Sequence, residues 1–274
     1  MSELLWASFF LSAATYVAAC SLFVAQSRRR AATHARLGPR WAPRLLEIGA
    51  LLHLSYLILF ALVDRRCPVF SLHSALGFVS LVGVVAYAAL SRGRHLEAIG
   101  GFVAASAAIF MVAARLIAVQ VPEPNDRWLM AVHITSNLLG GGILLVAGCA
   151  SAFYVWNEHR LKARKLLKHG PKLPPLEALD AVVHRLLWIG LPLLTVGMLT
   201  GRIVIKHVDI VTAGEKARAG LAAASWVLLL AVLALRQFAS WRGRKPAYAT
   251  LVGVAGIFAV IGLYIVRALL GDGL

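Results

Sequence analysis

Apolar residues fill this chain in runs of about twenty, and short clusters of arginine, lysine, proline and glycine separate the runs. A run of that length, coiled as a helix, crosses the ~30 Å hydrocarbon core of a bilayer. The pattern predicts eight such spans, over residues 4–26, 45–63, 70–90, 97–120, 128–156, 181–205, 219–240 and 247–270. The fifth is long enough to continue beyond the membrane as a helix. Nothing between the runs is long enough for a soluble domain, and no internal repeat is evident. The expected fold is all-α: one polytopic transmembrane bundle over residues 1–274 with about eight helices. Its backbone polar groups must be satisfied within those helices, because lipid offers them no partner. Span 6 is punctuated by Gly190, Pro192, Gly197 and Gly201, and a kink is expected at Pro192.

Composition supports a lipid-solvated chain. It is 60% hydrophobic and 15% charged, with a mean hydropathy of +0.77, whereas soluble domains carry about a quarter charged residues. The net charge of +16 would suit a nucleic-acid binder, but no soluble basic module exists to carry that role. The basic residues follow topology instead. Arg28–Arg30, Arg36, Arg40 and Arg44 follow span 1; Arg92 and Arg94 follow span 3. Arg160, Lys162, Arg164, Lys165, Lys168 and Lys172 follow span 5; Arg236, Arg242, Arg244 and Lys245 follow span 7. These alternate connections hold 18 of the 28 basic residues, which marks one side as cytoplasmic. Both termini are then expected on the non-cytoplasmic side of a bacterial inner (cytoplasmic) membrane. Glu3 precedes the first span and the arginines follow it, the reverse of a signal peptide, so a retained span is expected.

Three cysteines form neither a CxxC pair nor a CxxCH haem-attachment site. The histidines carry more information. His34, His95, His159 and His169 fall in the basic connections and read as solvated residues. His53, His73, His133, His184 and His207 fall in or beside spans, where ionisable groups are costly and usually functional. The structural alternative for any one of them is a neutral imidazole bonded to a neighbouring helix. Topology puts His73, His133 and His207 near the outer face, and His53 and His184 at an inner level.

Helical phase sharpens this picture. In RWLMAVHITSNLLGGGILL, His133, Asn137, Gly140, Gly141 and Leu144 share one face. The small residues leave room either for a flat ligand or for close packing of another helix. His73, Gly77 and Ser80 repeat the pattern on span 3. His53, Tyr56 and Phe60 form a stripe on span 2, as do His184, Trp188 and Leu191 on span 6. Histidines from several helices, apolar or aromatic walls and no carboxylate in the span interiors, with Glu47 and Asp180 at inner ends, suit haem iron with two axial imidazoles. A metal-ion carrier would recruit Asp or Glu at that depth. Propionates would find cations at Arg115, Arg127, Arg202 and Lys206.

The stretches VHITSNLLGGGILLVAGCASAFYVWNEHRLKARK and LPPLEALDAVVHRLLWIGLPLLTVGMLTGRIV, with WRGRKPAY at 241–248, resemble the cytochrome c assembly (CcsA/CcmC) family, most of all its eight-span HemX/YpjD-like branch. The resemblance runs from span 2 to the end and is strongest over residues 131–202. It implies a membrane protein that handles haem b non-covalently, in cytochrome c maturation or haem supply. Its implied partners are the lipid bilayer, haem, and other maturation proteins or a haem-biosynthesis enzyme, with no nucleic acid. His133 matches the family's outer histidine, and His53, His184 and His207 match histidines of the branch; His73 rests on depth alone. The family's tryptophan-rich haem-delivery segment has no counterpart in RIVIKHVDIVTAGEKARAGLAAAS, and its second outer histidine has none in YIVRALLGDGL. An accessory or regulatory haem-binding protein, not an enzyme, is therefore expected. The expected haem-iron ligands are His133 with His207 and His53 with His184, with Asn137, His73 and Arg202 nearby. The alternatives are a membrane scaffold that binds a cytoplasmic partner through its basic segment 157–177, and a small-molecule transporter.

Overall fold

The computed structural model describes residues 2–33, 41–64, 72–91, 97–116, 127–162, 175–205 and 212–270. They form eight helices: α1 (Ser2–Thr33), α2 (Trp41–Asp64), α3 (Leu72–Ser91), α4 (Glu97–Leu116), α5 (Arg127–Lys162), α6 (Leu176–Ile205), α7 (Ala213–Phe238) and α8 (Arg244–Leu270). No strand occurs among the described residues. Seven helices are long and apolar enough to cross a membrane, and α4 carries a shorter apolar segment, Ile99–Arg115. The molecule is a polytopic membrane helix bundle. α5 has 36 residues, about 54 Å at 1.5 Å per residue, and so outruns the hydrocarbon core.

The helices pack as two groups of four. In the first, α1 touches α2 and α4, and α3 touches α2 and α4. In the second, α6 touches α5 and α7, and α8 touches α5 and α7. Contacts of α5 with α3 and α4 join the two groups. The span in α5 is 72% buried and that in α8 17%, so α5 is the centre and α8 lies largely against lipid.

Glycine makes this central position possible. A Cβ at Gly142 would lie 2.6 Å from Cβ of Val82 and 2.9 Å from the Val79 carbonyl, both on α3. At Gly140 it would lie 3.0 Å from the Gly190 carbonyl on α6, and at Gly148 2.9 Å from Val254 Cγ1 on α8. Bare backbone on α5 thus lets three neighbours approach, and dispersion across those seams replaces the hydrophobic drive that lipid removes. At Gly140, Gly142 and Gly148 that room is taken by neighbouring helices.

Polar ties supplement the packing. Ser80 Oγ donates to the Ala107 carbonyl (3.2 Å), and Trp226 Nε1 donates to Thr195 Oγ1 (2.9 Å). Thr212 caps α7 by accepting from Glu215 N–H while the Glu215 carboxylate accepts from Thr212 N–H. Gly243, at φ +97°, supplies the left-handed turn before α8 that a Cβ would oppose. α6 stays helical through Pro192, whose ring faces outward.

Arg236 departs from expectation. The sequence places it among the basic residues that follow span 7, yet it lies in the last turn of α7 with a side chain only 4% exposed. Its Nη2 donates to the Asp180 carbonyl (2.7 Å) and meets Asp180 Oδ2 at 2.8 Å. The contact ties the start of α6 to the end of α7, and the cation also complements the α7 dipole.

Two predictions follow from the packing. Gly142→Leu should destabilise the bundle by about 2 kcal/mol or more, since overpacking against backbone cannot relax, while Gly262→Ala, with nothing within 4 Å, should not lower the melting temperature. Thermal denaturation in detergent checks both, and equal melting of the two variants would refute the seam. Asp180→Ala should cost about 3–5 kcal/mol by stranding a buried guanidinium, and Asp180→Leu with Arg236→Met should recover most of the loss.

Candidate functional site: a histidine cradled between two helices

α5 and α6 meet face to face near the start of one and the end of the other. His133 and Asn137 lie one turn apart on α5; Gly201 and Gly197 lie one turn apart on α6. A Cβ at Gly201 would be 2.6 Å from His133 Cε1, and one at Gly197 would be 2.5 Å from Asn137 Oδ1. The imidazole and the amide each rest on bare α6 backbone.

This geometry assigns the protons. His133 Nδ1 lies 2.7 Å from the Gly197 carbonyl, which can only accept, so Nδ1 carries the hydrogen. Asn137 Nδ2 donates to the His133 carbonyl at 2.7 Å; its approach to Nδ1, at 3.3 Å, leaves the donation to Gly197 in place. In the neutral ring the lone pair is then on Nε2. A histidine anchored through one nitrogen to a carbonyl, with the other presented, is the arrangement metal-ligating histidines adopt. His133 and Asn137 are half-buried, whereas residues 144–151 further along α5 are buried throughout. The histidine end of α5 is therefore more open than the middle of that helix.

His53 is fully buried and sits twelve residues into α2, about 18 Å along and near its middle. Its Nδ1 meets Tyr16 Oη of α1 at 3.1 Å, and the two rings pack edge to face. Tyr56 continues the stripe on α2, touching His53, Phe60 and Phe9 of α1. On the other side, a Cβ at Gly77 of α3 would be 3.3 Å from His53 Nε2. Position 73 is one turn from Gly77 in the first turn of α3, and the His73 side chain lies outside the described residues.

Registers relate the sites. α3 and α5 run parallel, and Val82 meets Gly142. His73 and His133 each precede that contact by nine residues, so their positions share one level. His184 is elsewhere, thirteen residues before Gly197, about 20 Å along α6. It is not paired with His53, since α2 packs on α1 and α3 while α6 packs on α5 and α7. Trp188 Nε1 donates to His184 Nε2 at 3.2 Å, which occupies the lone pair a metal would need. His207 and Lys206 lie outside the described residues, as do 163–174 of the basic segment and the Arg127 side chain. Arg202, next to Gly201, is exposed, and Arg115 stacks on Trp6 at 3.9 Å. Among the described residues, no group of three or more His, Cys, Asp or Glu could hold a metal ion. A haem, which takes one axial imidazole from each of two helices, asks for no such cluster.

The α6 glycines and Tyr16 were not anticipated as partners of the histidines. A signal for the first exists: the four-residue spacing in GMLTG mirrors that of His133 and Asn137.

The model for the family described as cytochrome c assembly protein matches residues 44–272. The chain is 26% identical over 179 residues to Protein HemX from Bacillus subtilis (strain 168), covering 61% of this chain and 63% of that one. It is 26% identical over 142 residues to Inner membrane protein YpjD from Escherichia coli (strain K12), covering 52% and 53%. It is 25% identical over 159 residues to Cytochrome c biogenesis protein CcsA from Chlamydomonas reinhardtii, covering 56% and 41%. The matches thus span about half the length of these relatives. No solved structure matches. The matched region takes in all of α3 to α8 and most of α2, with His53 and the cradled His133 inside it, and the chain belongs to the cytochrome c assembly protein family.

Proposed function

We propose that this protein binds haem non-covalently in a bacterial inner membrane and serves cytochrome c assembly or haem supply as an accessory or regulatory component. It holds the cofactor and does not catalyse a covalent step. The observation that carries the reading is His133: a neighbouring helix carbonyl fixes its tautomer, which leaves the lone pair on Nε2 of a half-buried ring. Haem would supply an iron centre that accepts such a nitrogen. His207, two residues beyond α6 in the chain, is the proposed second ligand. His53 is proposed as a separate buried ligand position, with position 73 one turn from the glycine it faces. His184 is the weakest member of the set, because its lone pair is engaged by Trp188.

What the chain's own residues do is orient and exclude. Gly197 turns the His133 ring, Gly201 keeps it flat on α6, and Asn137 fills the space one turn below. Membership of the family, with HemX and CcsA among the relatives, supports haem handling. The connection from α6 into α7 carries no tryptophan, which supports an accessory place over direct delivery.

Purified protein should show a Soret band and the spectrum of bis-histidine haem. His133→Ala should lower bound haem several-fold, and Gly197→Ala should perturb the spectrum through the displaced Asn137. Haem content unchanged in both His133→Ala and His53→Ala would refute the reading.

A further inference from the structure

Arg218 is 5% exposed and lies in the second turn of α7. A charge at such a position needs partners for its N–H groups. Its guanidinium lies over the Tyr264 ring of α8, 4.5 Å from the centroid, a contact that stabilises charge but accepts no in-plane hydrogen bond. Nε and Nη2 are buried and make no hydrogen bond.

The carboxylate closest at hand does not resolve this. Glu215 Oε1 is 3.9 Å from Arg218 Nη2, beyond hydrogen-bonding distance. That same oxygen accepts from Arg267 Nη1 at 3.2 Å, and Oε2 accepts from Thr212 N–H at 2.9 Å. Glu215 is committed to its capping box and to α8. One carboxylate serves two guanidinium groups, and the more deeply buried one lacks acceptors.

The surroundings show what could supply them. Arg218 precedes Trp226 by eight residues, and Thr195, the Trp226 partner, precedes Ile203 by eight on antiparallel α6. Arg218 is therefore level with the end of α6, at the boundary of the apolar spans. The Tyr264 that covers it is half exposed, so the guanidinium is one side chain deep from the lipid-facing surface. An oxyanion arriving there can present two oxygens to Nε and Nη2, the fork geometry that arginine matches best.

We infer that Arg218, roofed by Tyr264 and flanked by Arg267, is a binding site for one phosphate-type oxyanion, supplied by the headgroup of an anionic phospholipid at the α7–α8 surface. The site is independent of the haem reading. Bound phosphate satisfies both orphaned donors and offsets the excess positive charge. Tyr264 turns aside to admit it, and the lipid chains run along the exposed face of α8.

The test uses the full-length, haem-free protein, delipidated in neutral detergent. Native mass spectrometry with equimolar phosphatidylglycerol and phosphatidylcholine should show one retained lipid, with about a tenfold preference for the anionic species, the scale of one charge-assisted hydrogen-bonded pair. Arg218→Gln should bring the preference near unity, Arg218→Lys should keep part of it, and Lys216→Gln, on the exposed side of the same turn, should leave it intact. Titration with inorganic phosphate distinguishes the sources: a rise in melting temperature with phosphate alone assigns a free anion to the same site, and no rise assigns the lipid. Wild-type protein with neither a lipid preference nor a response to phosphate would overturn the proposal. So would folded Arg218→Gln with the preference intact. Should Arg218→Gln fail to fold, the wild-type arms and Arg218→Lys decide the matter.

Discussion

The closeness of α5 to its neighbours is the constraint on which the rest of the molecule depends. In lipid, apolar side chains gain little by leaving their surroundings for one another, so helices must approach until backbone dispersion and hydrogen bonds hold them. Gly140, Gly142 and Gly148 open α5 toward α6, α3 and α8 in turn. Two four-helix groups become one body because α5 belongs to both. The same closeness puts the Gly197 carbonyl within reach of His133. A bulkier α5 would lose the seam and the orientation of the imidazole together.

Much of this architecture is legible in a single sequence. Runs of twenty apolar residues have few fates, and basic clusters at alternate connections constrain how they thread the bilayer. The stripe from His133 to Leu144 is legible too, because helical phase is a local property. What lies across a seam is not. Tyr16 reads as an ordinary mid-span tyrosine until α2 brings His53 to it, and Gly197 and Gly201 read as punctuation until they meet Asn137 and His133.

Charges near span ends mislead in a specific way. Arg236 and Arg218 sit where arginines are expected to be hydrated, and composition offers no reason to bury them. Their burial is a tertiary event. Asp180, 56 residues from Arg236 in the chain, supplies both a carboxylate and a carbonyl. Around Arg218 the capping of α7 takes the nearby carboxylate first. His53, twelve residues into α2, is buried against Tyr16 of α1 in the same way, by a contact that the α2 sequence alone does not show.

The anchoring of His133 through Nδ1 separates two functions that often share one contact. The bond that contributes to holding α5 on α6 uses one ring nitrogen, and the lone pair of the other is not spent on it. Helix packing and the Nε2 lone pair therefore do not compete for the same ring nitrogen. The anchor is also uncharged. A carboxylate in that place would push the ring toward imidazolate and make it a stronger, slower-exchanging ligand; a peptide carbonyl leaves it a neutral imidazole of moderate donor strength. The cradle thereby fixes the ring's orientation without charging it.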